Sequence, residues 1–294
     1  MLNTMKKTIK KAILPVAGMG TRFLPATKAQ PKEMLAIVDK PVVQYIVEEL
    51  VESGIEEIIF VTGRGKRAIE DHFDISYELE DMLESKQKHE LMEQVRKIPH
   101  LARFSYVRQK TALGDGDAID QVAHLVGDEP VLVVFGDCLY DSVVPGSLQL
   151  IEAYEKYQAP IIGLAEVPME EVSKFGVIDG TKIGGNDWKI SRFVEKPKMK
   201  DAPTNIAVPG KYVLTPEVFA KLRSMTEWKS GEKRLADVFD ALLEDGSPIY
   251  GRILEGTWLD TGDKFNFMKA TIHLGLKHPE IGEKLRAYLK GLEL

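Results

Sequence analysis

A loop rich in glycine and positive charge follows the first apolar run of the sequence. The run KAILPVA (11–17) leads directly into Gly18, Gly20, Thr21 and Arg22. Glycine lets backbone N–H groups approach phosphate oxygens, and a guanidinium group can bind a phosphate through two parallel hydrogen bonds. The loop therefore predicts a site for a phosphorylated ligand, although a lone Gly-x-Gly also occurs in ordinary turns.

The loop continues with two further cations, Lys28 and Lys32, and its backbone is restricted by Pro25 and Pro31. A long ordered loop of this kind is typical of a segment that wraps a ligand. Phe23 occupies the place of the third glycine in the dinucleotide-binding fingerprint, and the Gly-Lys-Ser/Thr ending of a P-loop is missing. Both standard phosphate motifs are therefore disfavoured, and a dinucleotide-binding oxidoreductase is the least favoured class.

Two aspartates stand where metal chemistry could occur. Asp137 ends the most hydrophobic run of the sequence, PVLVVFGD, and Asp260 lies in the segment GTWLDTGD. The carboxyl end of a central strand is a common position for metal and phosphate binding, and two carboxylates with phosphate oxygens and waters can bind Mg²⁺. A turn or helix-capping role is the alternative for each residue. The long separation of the two aspartates gives no spacing by which to pair them.

Two other strand ends carry polar side chains of interest. Gln109 ends the run YVRQ, and its amide can donate and accept hydrogen bonds together, although an exposed glutamine is usually only solvated. Glu195 and Lys196 end another run and are followed by Pro197. Such a charged pair is unusual in a sheet interior, although it is common on an edge strand.

The elements that must position these residues are predicted from hydrophobic periodicity. Strands are expected over 11–17, 56–63, 102–109, 130–137, 159–167, 175–180, 188–197 and 207–214. Helices are expected over 41–54, 66 to about 97, 116–127, 146–157, 216–223, 234–244, 263–276 and 279–292. The first half alternates strand and helix, which indicates parallel strands, whereas the second half joins strands without long helices, which indicates antiparallel additions. We therefore predict an α/β fold, a Rossmann-like three-layer arrangement with a mixed, mainly parallel sheet flanked by helices.

The bulk composition excludes several classes of protein. The 294 residues carry a net charge of −6 and are 44% hydrophobic, so we expect no binding to nucleic acid or membranes. The single cysteine, Cys138, excludes a disulfide framework and fits a reducing compartment. The basic start of the chain reads as a tail before a strand, because its apolar run is too short for a signal peptide. We therefore expect a cytoplasmic protein.

The combined motifs resemble those of a known family. Gly-x-Gly-Thr-Arg (18–22), Pro-Ala-Thr-Lys-Ala (25–29) and Pro-Lys-Glu-Met-Leu (31–35) are similar to the sugar-nucleotide pyrophosphorylases, above all the bacterial uridylyltransferases. The resemblance covers residues 11–276. It implies the nucleotide-diphospho-sugar transferase fold and transfer of UMP from UTP to glucose 1-phosphate, giving UDP-glucose and pyrophosphate. It further implies a requirement for Mg²⁺ and a homodimer or homotetramer.

The resemblance also implies an organisation of the chain and roles for its residues. We expect one domain over 1–294, with a nucleotide-binding half at about 11–140 and a sugar-binding, C-terminal helical part at about 141–294. The implied catalytic residues are Arg22, Lys32, Asp137 and Lys196, and the implied metal ligands are Asp137 and Asp260. The implied nucleotide contacts are Ala17, Gly18, Gly20, Thr21, Glu33, Gln109 and Gly114. The implied sugar-phosphate contacts are Gly176, Glu195, Lys196 and Asn205.

Two segments depart from the family pattern. Asp115 and Asp117 stand where an apolar residue and a histidine are usual, and residues 231–237 replace a segment that usually reads Glu-Ile-Gln-Leu-Thr-Asp. Carboxylates that pointed at a nucleotide would repel its phosphates, so we expect both to face solvent or to cap the helix that starts here. Two alternatives stay open: a thymidylyltransferase, because Gln109 would suit thymine equally well, and a non-catalytic relative that binds sugar nucleotides.

Overall fold

The computed structural model of the protein describes residues 9–229 and 231–293. Its strands are β1 (Lys11–Pro15), β2 (Ala36–Ile37), β3 (Lys40–Pro41), β4 (Glu57–Thr62), β5 (Arg103–Arg108), β6 (Val131–Val134), β7 (Cys138–Asp141), β8 (Ile161–Glu166), β9 (Gly176–Gly184), β10 (Asp187–Glu195), β11 (Ile206–Val208), β12 (Lys211–Leu214), β13 (Tyr250–Ile253) and β14 (Thr257–Asp260). Its helices are α1 (Val42–Glu52), α2 (Arg67–Phe73), α3 (Tyr77–Ser85), α4 (His89–Lys97), α5 (Asp115–Asp120), α6 (Ala123–Val126), α7 (Gly146–Tyr157), α8 (Pro216–Ser224), α9 (Leu235–Glu244), α10 (Lys264–Lys277) and α11 (Gly282–Lys290).

A ten-stranded mixed sheet carries the fold, in the order β11-β9-β10-β13-β8-β12-β6-β1-β4-β5. The strands of the first half, β6, β1, β4 and β5, are parallel, as the alternation of strand and helix predicted. From β12 to β11 most neighbours are antiparallel, with β13 and β8 the parallel exception. The predicted α/β fold with a mixed sheet and antiparallel additions is confirmed, but the expectation of a mainly parallel sheet is wrong, because six of the ten strand pairings among the described residues of this sheet are antiparallel.

Helices cover both faces of the sheet, and the first strand shows why. Side chains of β1 alternate between two cores, because successive residues of a strand point to opposite faces. Ala12 and Leu14 pack with the apolar stripe of α1, whereas Ile13 packs in a second core with Ile119 of α5 and with helices α8 and α9. The stripe of α1 includes Ile46 and Leu50, which are fully buried and one helical turn apart.

Both cores combine the two halves of the chain. The core that holds Ile13 also contains Ile162 of β8 and Phe239 of α9, and the core that holds Leu14 also contains Val213 of β12. A buried ion pair joins the halves as well, because Nζ of Lys211 in β12 lies 2.7 Å from Oε2 of Glu49 in α1. This continuity supports the expected single domain, which stays a prediction.

The sequence reading missed three short strands that matter for the site. β13 enters the large sheet between β8 and β10, and β7 pairs with β14 in a separate two-stranded sheet. Four-residue strands such as these are too short to show a clear alternation of apolar and polar residues. The basic tail expected at the N-terminus falls mostly on residues 1–8, outside the described residues. No helix within 9–229 and 231–293 is both long and apolar enough to span a membrane.

Candidate active site

The pairing of β7 with β14 brings the two candidate metal-binding aspartates to one place. Asp260 is the register partner of Cys138, the residue directly after Asp137. Thr261 fixes the junction, because its backbone N–H and its hydroxyl both donate to the carbonyl oxygen of Asp137 at 3.0 Å. Residues that sequence spacing could not connect are therefore adjacent in the fold.

Gly262 lies at the centre of this site. A Cβ atom added there would lie 2.9 Å from Oδ1 of Asp260, and 3.3 Å from both Nη1 of Arg22 and Oδ2 of Asp137. The guanidinium of the glycine-rich loop and the two carboxylates thus surround one point. The backbone N–H of Gly262 donates to Oδ1 of Asp260 at 2.8 Å and fixes the direction of that carboxylate.

The predicted catalytic lysine joins the same cluster. Nζ of Lys32 lies 2.5 Å from Oδ2 of Asp137. Burial alone would raise the pKa of Asp137, but Lys32 and Arg22 outweigh it and hold the pKa of this carboxyl below its ordinary value. Burial alone would likewise lower the pKa of Lys32, but Asp137 and Glu33 leave that pKa raised. Both groups are therefore charged at neutral pH.

The second aspartate has the opposite electrostatic environment. Burial raises the pKa of Asp260, and the negative charges of Asp137 and Asp263 add to the increase. The N–H of Gly262 and the charge of Arg22 oppose it without overcoming it. A cation placed between the carboxylates of Asp137 and Asp260 would relieve their mutual repulsion, so the pair has the character of a cation site.

The glycine-rich loop combines one structural glycine with one that the fold does not require. Gly20 has a φ of 65°, and a Cβ atom there would lie 3.1 Å from Cβ of Lys32. Thr27 fixes this turn through a hydroxyl bond to the carbonyl oxygen of Gly20 at 2.7 Å. Gly18 is exposed, and a Cβ atom at Gly18 would meet no protein atom within 4 Å. Close approach of a ligand gives a physical reason for glycine at this position. Thr21 begins a short 3-10 turn that also contains Arg22.

A cavity of about 320 Å³ opens between this loop and Asp137. Its walls include Ala17, Gly18, Met19, Lys32, Glu33, Gln109, Gly114, Asp115, Phe135, Asp137 and Glu232. Most of the predicted nucleotide contacts therefore line one space, next to the paired carboxylates. A cavity of this size fits the lower end of the range for small-molecule sites.

Glu33 forms a wall of this cavity. Its side chain is almost fully buried, and Oε2 lies 2.7 Å from Nζ of Lys66, which is also buried. Burial raises the pKa of Glu33 despite the nearby charges of Lys66 and Lys32. Lys66 was not singled out from the sequence. It follows β4, the parallel neighbour of β1, and the rule that ligands gather at the carboxyl ends of parallel strands could have identified it.

Gln109 has a more restricted amide than the sequence suggested. Its Nε2 donates to the carbonyl oxygen of Gly114 at 3.1 Å and to Oδ2 of Asp117 at 2.9 Å. The two N–H bonds of the amide are thereby used. Without a ligand, the carbonyl oxygen of Gln109 is the end of the amide that has no protein partner among the described residues, and its contact with a base stays a prediction.

The two unexpected aspartates turn inward. Asp117 is 4% exposed, so the expectation that it faces solvent or caps the helix is wrong. Asp115 is the first residue of α5 and not its cap; it accepts from the N–H of the adjacent Gly116 and from the N–H of Leu235 at the start of α9. Polar partners hold both carboxylates in the interior, because buried charge without partners is costly.

The two segments that depart from the family pattern contact each other. The N–H of Gly116 donates to the carbonyl oxygen of Lys233 at 2.9 Å, and the N–H of Lys233 donates to the carbonyl oxygen of Leu113 at 2.7 Å. A Cβ atom on Gly114, whose φ is 118°, would lie 2.2 Å from the Lys233 carbonyl oxygen. The segment around Lys233 thus closes over the turn beside Gln109.

The predicted sugar-side residues lie around the end of β10. Oε2 of Glu195 would lie 3.2 Å from a Cβ atom on Gly176, its register partner in β9. Lys196 has a φ of 46°, its N–H donates to Phe175, and its ammonium lies 3.3 Å from Oε1 of Glu195. Asn205 donates through Nδ2 to the carbonyl oxygen of Val167 at 3.2 Å.

A second cavity lies beside Asp260, and none of the four predicted sugar-phosphate contacts is among its wall residues. It measures about 800 Å³, and its walls include Val167, Phe175, Trp258, Asp260 and Lys269. Phe175 packs against Trp258, two residues before Asp260, with ring centroids 4.8 Å apart. Asp260 thus lines this cavity, and Asp137 lines the cavity beside the glycine-rich loop. Their roles in binding and catalysis stay predictions.

Known proteins resemble this chain over nearly its full length. The "UTP--glucose-1-phosphate uridylyltransferase" of Staphylococcus epidermidis is 47% identical over 288 residues, which cover 98% of this chain and 100% of that protein. The protein of the same name from Bacillus subtilis is 46% identical over 286 residues, 97% of this chain and 98% of that one.

Solved structures are similar over the same length. A UDP-glucose pyrophosphorylase complexed with UDP-glucose has a TM-score of 0.84 and 40% identity, covering 92% of this chain and 100% of that one. A UTP-bound UGPase from Acinetobacter baumannii has a TM-score of 0.90 and 36% identity, covering 97% of this chain and 100% of that one. The family model described as "Nucleotidyl transferase" matches residues 11–275. On its sequence, its fold and the match to that model, the chain belongs to the nucleotidyl transferase family.

Proposed function

We propose that the protein transfers UMP from UTP to glucose 1-phosphate and releases pyrophosphate, making UDP-glucose. The observation that carries the proposal is the convergence of Arg22, Asp137 and Asp260 around Gly262, between two cavities. Such an arrangement suits a reaction that brings two phosphorylated substrates together. The names of the similar proteins support UTP and glucose 1-phosphate as those substrates.

The aspartate pair fits a magnesium ion. Within the described residues, no group of three or more acidic, histidine or cysteine side chains could bind a metal, so two carboxylates are what the protein supplies. Mg²⁺ commonly binds one or two carboxylates and completes its shell with waters and substrate phosphates. We therefore assign Asp137 and Asp260 as its ligands. When bound there, Mg²⁺ would neutralise charge on phosphate oxygens and draw the two substrates together.

Three cationic side chains act on the phosphate groups during the reaction. The phosphate oxygen of glucose 1-phosphate attacks the α-phosphorus of UTP, and the bond to pyrophosphate breaks in line. Arg22 and Lys32 neutralise the β- and γ-phosphates that leave, and Lys196 directs the attacking phosphate. Repulsion between anions makes up much of the barrier, so fixed positive charge and positioning supply most of the catalysis.

The cavity on the side of Asp137 binds the nucleotide. Backbone N–H groups near Gly18 and Gly20 approach its phosphates, with Ala17 and Thr21 beside them, and the carbonyl oxygen of Gln109 accepts from the N3–H of uracil. On the side of Asp260, Glu195 accepts hydroxyl groups of the sugar. Gly176 leaves room for the sugar ring beside the backbone, and Asn205 borders it.

The Asp260→Asn variant tests this proposal. Pyrophosphate release from UTP and glucose 1-phosphate in Mg²⁺ should fall by roughly 100-fold, because one oxygen ligand of the cation loses its charge. Asp128→Asn is a matched control, because Asp128 is exposed and precedes β6, whereas Asp137 follows that strand. A variant within threefold of the parent protein would remove Asp260 from the site.

Substrate panels separate the alternatives. Equal turnover of dTTP and UTP would favour a thymidylyltransferase, and binding of UDP-glucose without any turnover would favour a non-catalytic relative. Turnover with glucose 1-phosphate as the acceptor should exceed turnover with galactose 1-phosphate or N-acetylglucosamine 1-phosphate.

A homodimer or homotetramer in the cytoplasm stays a prediction. Sedimentation can check the oligomeric state, and cell fractionation can check the location.

A further inference from the structure

Asp117 is a buried side chain that has no direct role in the proposed reaction. Its Oδ2 accepts from Nε2 of Gln109 at 2.9 Å, and its Oδ1 lies 3.6 Å from Nζ of Lys233. The side chain of Asp117 is 6% exposed, whereas that of Lys233 is 36% exposed. A solvent-facing cation thus supports a buried carboxylate, and the carboxylate in turn holds the amide of Gln109.

The orientation of this amide follows from chemistry. An amide group can be turned by half a rotation at little steric cost, so its orientation depends on its neighbours. Both neighbours of Nε2, the Gly114 carbonyl and the Asp117 carboxylate, accept hydrogen bonds. The reverse orientation would set the carbonyl oxygen of Gln109 against two other oxygens. The NH2 group is therefore confined, and Oε1 is the end left for a ligand.

A fixed acceptor can discriminate between pyrimidines. Uracil presents an N3–H donor at its pairing edge, whereas the N3 of cytosine is an acceptor. Oε1 of Gln109 can accept from the first and is repelled by the second. An amide free to turn would bind either base, because it could present its NH2 group to cytosine. Discrimination between uracil and cytosine therefore depends on the contacts that prevent the Gln109 amide from turning.

We propose that Asp117, supported by Lys233, is a positioning residue that locks the Gln109 amide and so selects bases with an N3–H against cytosine. The inference rests on the proposed function, because it assigns the base to the cavity beside Gln109. Both members of the lock belong to the segments that depart from the family pattern, and these segments contact each other although they are distant in the chain. The lock therefore needs both of the segments that depart from the family pattern, one for Asp117 and the other for Lys233.

The Asp117→Leu variant tests the lock by comparison of UTP with CTP. Leucine fills the site but accepts no hydrogen bond, so the amide keeps only the Gly114 carbonyl as a partner and can turn more easily. The KM for UTP should rise about tenfold, with a smaller change in kcat, and the UTP/CTP ratio of kcat/KM should fall at least tenfold. Asp117→Asn should restore most of the ratio, because its Oδ1 can still accept from Gln109. Lys233→Met, which leaves the hydrogen bond in place, should have an intermediate effect.

Asp120→Leu is the matched control, because Asp120 lies one turn further along α5. Its UTP/CTP ratio should stay within twofold of that of the parent protein. If Asp117→Leu does not fold, as judged by circular dichroism, Asp117→Ser replaces it, since its hydroxyl is too short to reach Gln109. An Asp117 variant that is folded and keeps the parental UTP/CTP ratio overturns the lock.

Calorimetric titration with UTP and with CTP distinguishes the lock from the proposed reaction. If the parent protein does not turn over UTP, the proposed function fails, and the ratio of the two dissociation constants still tests the lock. A parent protein that prefers UTP, with a variant that has lost this preference, supports it. A uniform loss of affinity for both nucleotides would show that Asp117 serves the fold alone.

Discussion

At the scale of single residues, the charge of Lys196 has the most directly testable role. Its ammonium is more than half exposed and is held near Glu195 at the end of β10. Lys196→Ala should lower kcat with saturating glucose 1-phosphate by roughly 30-fold or more, about 2–4 kcal/mol of transition-state stabilisation. Lys200→Ala, which removes an exposed lysine from the following loop, is the control. An unchanged kcat for Lys196→Ala would remove this residue from the mechanism.

The buried carboxyl of Asp115 gives stability a pH dependence. Burial raises its pKa from 3.8 to about 6, with a contribution from Glu195, although two backbone N–H groups and Arg234 oppose the change. Between these values the folded protein holds a proton that the unfolded chain has lost, so the contribution of Asp115 to the free energy of unfolding falls as pH rises. Above about pH 6 the ionised group costs on the order of 2–3 kcal/mol.

Asp115→Asn should remove this cost and keep the acceptor for both N–H groups. The variant should therefore melt a few degrees above the parent protein at about pH 7.5, and only about half of that gain should remain at about pH 5. Thermal unfolding at the two pH values is the measurement. The same gain at both pH values would contradict the assignment.

At the scale of elements, the turn before α5 depends on the close approach of Lys233. Gly114→Ala would force a Cβ atom against the Lys233 carbonyl at a φ of 118°, so we expect a loss of about 2–4 kcal/mol in unfolding free energy. Gly246→Ala is the matched control, because Gly246 also has a positive φ but no atom within 4 Å of the added Cβ. Urea titration of both variants should show a clearly larger loss for Gly114→Ala.

The elements also show what a sequence can predict. Strands such as β1, β4 and β6 were identified because continuous apolar runs bounded by glycine or polar residues are a strong signal. The pairing of β7 with β14, which joins Asp137 to Asp260, left no such signal, since each strand is short and their contact is long-range. Resemblance to a family, and not spacing, paired the two aspartates.

Side-chain orientation was the weakest part of the sequence reading. Asp117 was expected to face solvent or to cap the helix because a carboxylate that pointed at a nucleotide would repel its phosphates, yet Gln109 and the distant Lys233 provide partners for it in the interior. The N–H bonds of the Gln109 amide are used by Gly114 and Asp117, five and eight residues further along the chain. Such networks depend on the tertiary fold, so local pattern could name the residues but could not orient them.

At the scale of the whole molecule, the buried pair of Lys211 and Glu49 joins β12 to α1 across the two halves of the chain. We expect one cooperative unfolding transition, because both cores draw on both halves. Lys211→Met should lower the free energy of unfolding by about 3–5 kcal/mol, and with it the midpoint of that transition, because it leaves Glu49 with a buried, unpaired charge. Two separate calorimetric transitions would argue for two independent domains instead.

The contact between Lys32 and Asp137 has a consequence for the order of events in the site. In the free protein the ammonium neutralises the carboxylate, so neither is fully available to a substrate. A triphosphate that attracts Lys32 would release Asp137 to the metal, and a metal on Asp137 would release Lys32 to the triphosphate. Nucleotide and cation should therefore bind with positive heterotropic cooperativity, each tightening the affinity of the other by the same factor.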